Sequence, residues 1–312
     1  MSDKLSFKSS FRRRIKKTRR FFYPLALGPL GVWVRRLTDA ECETWAKRIG
    51  SLCYHVLSKA RARAMSNLSK AFGSQMTSEQ INKIGRGVFQ NLALNFFECG
   101  RFGNVPTDQL LERITPEGWE HLEAAHQSGR GGVLLGGHIG NWELTAAYIA
   151  LRGYPINVVA RRIYIDSLNE RLVKMREGMG MKVLYRDISM RRMIRLLLNN
   201  QFIGVLVDQD VKDVSGIFVD FFGHPAYTPV GPALLALASG APIIIIRHVR
   251  QGSQHRITVD PPIFANRDAP RDQEVNRIVT LYTKRLEEFI REHPTQWVWT
   301  HRRWHTRPPT TQ

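Results

Sequence analysis

A histidine and a glutamate five residues apart, His138 and Glu143, lie in the segment Gly136-Gly137-His138-Ile139-Gly140-Asn141-Trp142-Glu143. On one continuous helix the 3.6-residue period would set them about 140° apart, so they meet only if the chain bends between them. Three glycines supply that bend, because they permit backbone conformations that a Cβ forbids. Asn141 is then a suitable N-cap for a helix that follows. A carboxylate on one imidazole nitrogen fixes the tautomer and stabilises the imidazolium, leaving the other nitrogen to take a proton from a hydroxyl. The chemistry on offer is general-base catalysis, with His138 as the base and Glu143 as its orienter. By spacing alone, the same turn equally suits a histidine and a glutamate that only cap the backbone.

Other chemistries find no support. The chain has no G-x-S-x-G elbow, no G-x-x-x-x-G-K-[ST] phosphate loop and no complete G-x-G-x-x-G, so neither a serine nucleophile nor a nucleotide is implied. His121 and His126, with Glu120 and Glu123, fall outside the H-E-x-x-H spacing of zinc ligands and read as a solvated helix face. Cys42, Cys53 and Cys99 are odd in number and far apart, which argues against a disulfide framework or a cysteine zinc site and favours a reducing compartment. No cofactor and no metal is expected. If His138 is a base, the nucleophile is the substrate's own hydroxyl attacking an activated carbonyl, with no covalent enzyme intermediate. The oxyanion would take donors from the backbone N–H groups of residues 139–141.

The elements that must hold this turn follow from patterning. Residues 39–102 are rich in helix formers, and Thr77-Ser78-Glu79-Gln80 offers a capping box ahead of a long amphipathic stretch carrying Leu92, Phe96 and Phe97. From about residue 130, short apolar runs alternate with helical stretches: 132–136, 156–160, 182–185, 203–207, 242–246 and 256–259. Strand-like runs separated by helices imply an α/β fold with a mixed, largely parallel sheet flanked by helices. In such sheets the loops at the carboxyl ends of strands build the site, and His138 follows the first run directly. The expected organisation is an arm and anchor over 1–38 and one domain over 39–312, helical to 128 and α/β from 129.

Charge points to partners. The 312 residues carry a formal net charge of +19, and 43% are apolar, enough to bury roughly 75% of the unfolded surface and exclude wholesale disorder. Residues 1–20 hold nine Lys/Arg and one Asp, then Phe21 to Val34 are uncharged and mostly apolar, closed by Arg35 and Arg36. A spanning helix needs about 20 residues, and Pro24, Gly28, Pro29 and Gly31 interrupt this run. The segment reads as an interfacial anchor whose cations meet anionic lipid.

At this point the motifs become recognisable together. Gly137-His138-Ile139-Gly140-Asn141-Trp142-Glu143 resembles the H-x4-[DE] block of glycerolipid-type acyltransferases, in the form used by the bacterial lipid A biosynthesis (late, lauroyl/myristoyl type) acyltransferases. Asp208-Gln209-Asp210, the stretch Gly216 to Gly223 with Pro225, Ala226 and Thr228, Gly240-Ala241-Pro242, and Trp297 to Trp304 with Arg307-Pro308 are similar to further blocks of that family. The resemblance covers roughly residues 20–309.

The resemblance implies a membrane-associated O-acyltransferase at the cytoplasmic face of the bacterial inner membrane. The acyl donor would be an acyl carrier protein or coenzyme A thioester, and the acceptor a hydroxyl of a phosphorylated glycolipid, a lipid A precursor. His138 would be the base and Glu143 its orienter. Arg161 would hold anionic substrate groups, Asp208 a polar partner, and Arg303, beside Trp297, Trp299 and Trp304, a phosphate next to an apolar surface. Lysophospholipids, phosphoinositide mannosides and amino-acid lipids stand as alternative acceptors, and a non-catalytic basic membrane-binding protein as the alternative class. Nucleic acid is not expected as a partner.

Overall fold

The computed structural model describes residues 30–101, 105–211 and 213–309. Most of the expected anchor, residues 1–29, therefore lies outside the described residues, while 30–36 are helical. No helix among the described residues is long and apolar enough to cross a membrane.

After the helical residues 30–36 come three helices: α1 (Asp39–Val56), α2 (Ser58–Phe72) and α3 (Ser78–Arg101). Each start has a chemical reason. Thr38 and Glu41 close a capping box on α1, and Thr77 and Gln80 close the expected one on α3, with Gln80 Oε1 accepting from the Thr77 N–H at 2.8 Å. On α3, Ile81, Gly85, Val88 and Phe89 are buried at helical spacing, and Gly50 of α1 packs where a Cβ would lie 2.4 Å from the Gln90 backbone. The two helices lie in direct contact there. A short helix α4 (Thr107–Glu112), strand β1 (Ile114–Glu117) and helix α5 (Trp119–Gln127) lead into the sheet.

The α/β part runs β2 (Gly132–Gly136), α6 (Trp142–Leu151), β3 (Ile156–Ala160), α7 (Asp166–Gly178), β4 (Lys182–Tyr185), α8 (Met190–Leu198) and β5 (Phe202–Leu206). After it come β6 (Gly216–Phe221), β7 (His224–Pro229), α9 (Gly231–Ser239), β8 (Ile243–Gln251), β9 (Gln254–Val259) and α10 (Arg271–Glu292). Seven strands make one sheet in the order β1-β9-β8-β2-β5-β3-β4. The core from β8 to β4 is parallel, and β9 pairs antiparallel with β8. The mixed, mostly parallel sheet flanked by helices matches the expected class. Ile243 to Ile246 on β8 are buried on both faces, which is why that strand reads as a continuous apolar run.

Two features go beyond the sequence reading. Strand β1 comes from a stretch read as helical and pairs with β9. The segment quoted above only as a motif, 216–229, is a separate hairpin of β6 and β7. It turns at Phe222-Gly223, both at positive φ (57° and 74°), the geometry that a tight hairpin turn requires.

Apolar packing fills both faces. On one, Leu134, Ile156 and Phe202 meet Leu144, Tyr148 and Ile149 of α6. On the other, Val133, Leu135 and Ile203 meet α9 and the Val275, Ile278, Val279 and Tyr282 stripe of α10. A third cluster joins α2 and α3 to Phe221, Phe222, Trp297 and Trp299, so the first helices pack against the end of the chain. His126 is not on a solvated face: its ring packs against Tyr154 and Phe202, at 5.4 and 5.8 Å between centroids.

Candidate active site

The parallel strands β2, β5, β3 and β4 all end at one edge, and the chain places His138, Asp208, Arg161 and Arg186 just beyond those four ends. The turn after β2 is shaped by glycine. Gly140 has φ 58°, and a Cβ there would lie 2.5 Å from the His248 carbonyl oxygen; a side chain at this position would force the turn off β8. Asn141 caps α6 as expected, its Oδ1 accepting from the Leu144 N–H at 3.0 Å.

The carboxylate that meets the His138 ring is Asp208. Its Oδ1 lies 2.7 Å from His138 Nδ1, and its Oδ2 accepts from the His138 backbone N–H at 2.7 Å. The Trp297 indole N–H donates to the same Oδ2 at 2.7 Å. Burial alone would raise the Asp208 carboxyl, but the His138 charge and these hydrogen bonds outweigh it and hold the group well below the usual carboxylate range. An ionised Asp208 accepting from Nδ1–H leaves Nε2 as the basic nitrogen. The ring remains 21% exposed, and Trp142 meets it edge-on at 5.1 Å.

Glu143 is placed differently from its expected contact. It lies in the first turn of α6, and both its oxygens accept from Arg176 of α7, at 2.8 and 2.6 Å. The fork geometry is that of a bidentate Arg–carboxylate pair. The pair sits at 12–13% exposure on the wall of an apolar slot of about 90 Å³. That slot runs between β2, β5, β3 and α6, past Ile149, Ile156 and Val158, and is also lined by Gly137 and Trp142. Glu143 thus lines the same slot as Gly137 and Ile139, the two neighbours of His138.

Of the remaining expected site residues, Arg161 is exposed at the end of β3. Arg303 is only 1% exposed; it donates to the Tyr227 carbonyl and to Thr228 Oγ1, both at 2.7 Å, and its guanidinium covers Phe221 at 4.7 Å. Burial pulls it down to about 10. It therefore anchors the β6–β7 hairpin. Asp210 likewise holds the last loop through Thr306 N and Oγ1, at 2.6 and 2.8 Å.

Several neighbours escaped the sequence reading. The Gln209 amide nitrogen lies 3.3 Å from both nitrogens of the His138 ring. Behind the turn, Arg250 of β8 donates to Glu98 of α3 through Nε and Nη2, at 2.7 and 2.6 Å, and also to Asn91 and Asn95. Glu98 in turn accepts from Asn141 Nδ2 at 2.7 Å, and Asn95 Nδ2 donates to the Gly140 carbonyl at 2.6 Å. The N–H of Gly140 donates to the Gln296 carbonyl at 3.1 Å. That N–H is engaged, so the expectation that residues 139–141 together supply oxyanion donors is corrected at Gly140. Only the DQD spacing hinted at Gln209; a lone Glu98 on an amphipathic helix carried no signal.

Residues 9–306 match the family described as bacterial lipid A biosynthesis acyltransferase. The chain belongs to that family. Among its relatives it is 25% identical to a lipid A biosynthesis palmitoleoyltransferase of Escherichia coli over 302 residues, 94% of this chain and 96% of that one. It is 24% identical to the lauroyltransferase of the same organism over 263 residues, 83% and 84% of the two chains. A phosphatidylinositol mannoside acyltransferase of Mycobacterium tuberculosis is 30% identical over 223 residues, 70% of this chain but 66% of the relative's length. This member of the lipid A acyltransferase family thus resembles relatives with two different kinds of acceptor in their names.

Proposed function

We propose that the protein is a membrane-associated O-acyltransferase that moves a fatty acyl chain from a thioester to a hydroxyl of a phosphorylated glycolipid of the lipid A type. The observation that carries this reading is the His138–Asp208 pair in a turn whose residues Gly137, Ile139 and Trp142 line an apolar slot. The slot receives the acyl chain. Nε2 of His138 takes the proton of the acceptor hydroxyl as its oxygen attacks the thioester carbonyl, and Asp208 stabilises the imidazolium that forms. Collapse of the tetrahedral intermediate expels the thiolate, which recovers the proton from His138, and the ester leaves.

Donors for the oxyanion come from Gln209 Nε2, close to the ring, rather than from Gly140. Glu143 serves the slot through Arg176, and Arg161 meets anionic substrate groups. The membrane supplies the acceptor at the cytoplasmic face of the inner membrane, with the anchor segment in 1–38 holding the enzyme there. The mycobacterial relatives favour a second reading, the same chemistry on a mannosylated phosphoinositide.

Purified protein incubated with acyl thioester and each acceptor in detergent should give ester product detectable by mass spectrometry, abolished by His138→Ala. Lipids of a deletion strain, lacking one acyl chain, identify the acceptor. Transfer by His138→Ala at the wild-type rate would reject the reading. So would a stoichiometric acyl adduct on the protein for its direct-attack mechanism.

A further inference from the structure

Helix α3 carries a polar stripe that the acyl-transfer step itself does not use. Asn91, Asn95 and Glu98 are spaced by four and three residues, so they share one face and span about 10 Å of the helix axis. All three take the Arg250 guanidinium of β8, Asn91 and Asn95 through their amide oxygens and Glu98 through both carboxylate oxygens, at 2.7 and 2.6 Å. Their other polar atoms reach the chain beside the histidine. Asn95 Nδ2 donates to the Gly140 carbonyl at 2.6 Å, and Glu98 Oε2 accepts from Asn141 Nδ2 at 2.7 Å. Asn91 Nδ2 donates at 3.3 Å to the Gln296 carbonyl, which also takes the Gly140 N–H. The Gln296 side chain is tied in turn to the Arg250 backbone N–H and carbonyl, each at 2.9 Å.

A polar filling at this contact needs a reason. Apolar side chains of the same size would hold α3 against β8 at least as well, because a buried ion pair contributes little net over a well-packed apolar replacement. What apolar groups lack is direction. Asn141 caps α6 through Oδ1, and Glu98 on its Nδ2 leaves that amide a single orientation. Gly140 sits at φ 58°, one of several conformations a glycine visits readily, and here its carbonyl and its N–H are both held. Burial alone would raise the Glu98 carboxyl, but Arg250 outweighs it and keeps the group below its ordinary value, an ionised acceptor. Among the described residues, none of the buried side-chain atoms left without a partner belongs to Asn91, Asn95, Glu98, Arg250 or Gln296. A buried network satisfied in this way defines one geometry.

We propose that Glu98, with Asn95 beside it, is a positioning residue for acyl transfer: from helix α3 it holds the Gly140–Asn141 stretch and so sets where His138 Nε2 points. Asp208 holds the histidine itself; the α3 stripe holds the chain two and three positions further on. Neither Glu98 nor Asn95 touches substrate in this role, which rests on the acyl-transfer reading of the His138 site. The first helices thereby contribute to turnover as well as to the fold.

The test compares the full chain with Glu98→Gln and with Glu98→Gln/Arg250→Met. With dodecanoyl-coenzyme A and a lipid A precursor in detergent, kcat of Glu98→Gln should fall at least ~30-fold, towards the ~100-fold that a misplacement of about 1 Å costs, while KM for the donor stays within about twofold. Hydrogen exchange read by mass spectrometry without substrate should quicken at least about tenfold over residues 138–144 and stay unchanged over β3 and β5. The double variant removes the uncompensated guanidinium and should regain the wild-type thermal melt while kcat stays low, a split that a merely structural role would not give. If Glu98→Gln fails to fold, Asn95→Asp takes its place: it keeps one oxygen on Arg250, sets the other against the Gly140 carbonyl, and should lower kcat at least ~10-fold. Recovery of kcat together with the melt, near wild-type kcat in Asn95→Asp, or unaltered exchange at the turn would each overturn the proposal. Quickened exchange at the turn, in a protein that transfers acyl groups to no acceptor, would instead overturn the acyl-transfer reading and leave Glu98 as the holder of the turn.

Discussion

Asp208 grips His138 twice, through the ring nitrogen Nδ1 and through the backbone N–H of the same residue, each at 2.7 Å. One carboxylate therefore fixes both the orientation of the imidazole and the stretch of chain that carries it. A misplaced turn and a rotated ring become the same fault, repaired by the same group.

Asp208→Asn should accordingly act like a loss of the base. The amide puts a donor either against the ring nitrogen Nδ1 or against both the His138 backbone N–H and the Trp297 indole, so either the ring or the turn loses its partner. We expect kcat to fall by about 10²- to 10⁴-fold, the range of general-base catalysis, with His138→Ala at least as low and KM for donor changed far less. Steady-state kinetics on the purified variants decide this; an Asp208→Asn enzyme with near wild-type kcat would remove Asp208 from the mechanism.

Glu143 should behave as half of a pair. Glu143→Ala leaves the Arg176 guanidinium in the slot wall without its carboxylate, and removing one partner of a buried ion pair costs about 3–5 kcal/mol. The double variant Glu143→Ala/Arg176→Met should recover at least half of that loss in a urea melt. Strict additivity of the two single changes would show that the carboxylate works on something other than Arg176.

The His138–Asp208 pair shows how far residue types alone can be read. Strands β2, β3 and β4 were legible to the residue because each is a short apolar run bounded by turns. His138 was legible as a candidate because it sits among three glycines directly after a strand, though spacing alone suited a backbone cap equally well. Its carboxylate partner was not: Asp208 lies 70 positions away, and only the parallel pairing of β2 with β5 brings the two strand ends together. Proximity in sequence favoured Glu143, and an arginine on α7 had already taken it. Arg303 misled for a related reason, since an arginine among tryptophans reads alike whether it awaits a phosphate or closes a core.

Filling the slot should change which acyl chain is transferred. Ala146 lines it from α6, and Ala146→Phe adds a ring where methylenes would lie. We expect the optimum chain to shorten by several carbons, measured by competing thioesters of graded length, with the rate on the shortest donor retained. An unaltered length profile would place the acyl chain elsewhere.

Acid should loosen the fold through buried histidines. Burial pulls His255 and His301 down to about 4, against 6.5 when unfolded, and it drives His248 well below its ordinary value. Between pH 6.5 and 4 the unfolded chain binds more protons than the native one, so stability is full above about 6.5 and falls as pH drops towards 4, by up to about 1.4 kcal/mol per pH unit for each such imidazole. Urea melts across this window should show the decline, and His301→Gln should flatten it. A slope unchanged by that substitution would exclude His301 as a source.

The third donor to Asp208 has a bearing on how the protein comes into being. Trp297 and its neighbours Gln296 and Val298 hold the carboxylate, the Gly140 N–H and the His138 carbonyl, yet they are synthesised about 160 residues after the turn they complete, at the roughly 5–20 residues per second of a translating ribosome. For that interval the nascent chain has a histidine without its full setting. The full setting of His138 thus arrives late, after most of the sheet has been synthesised, and a translation product cut short before Gln296 would carry the motif without these contacts.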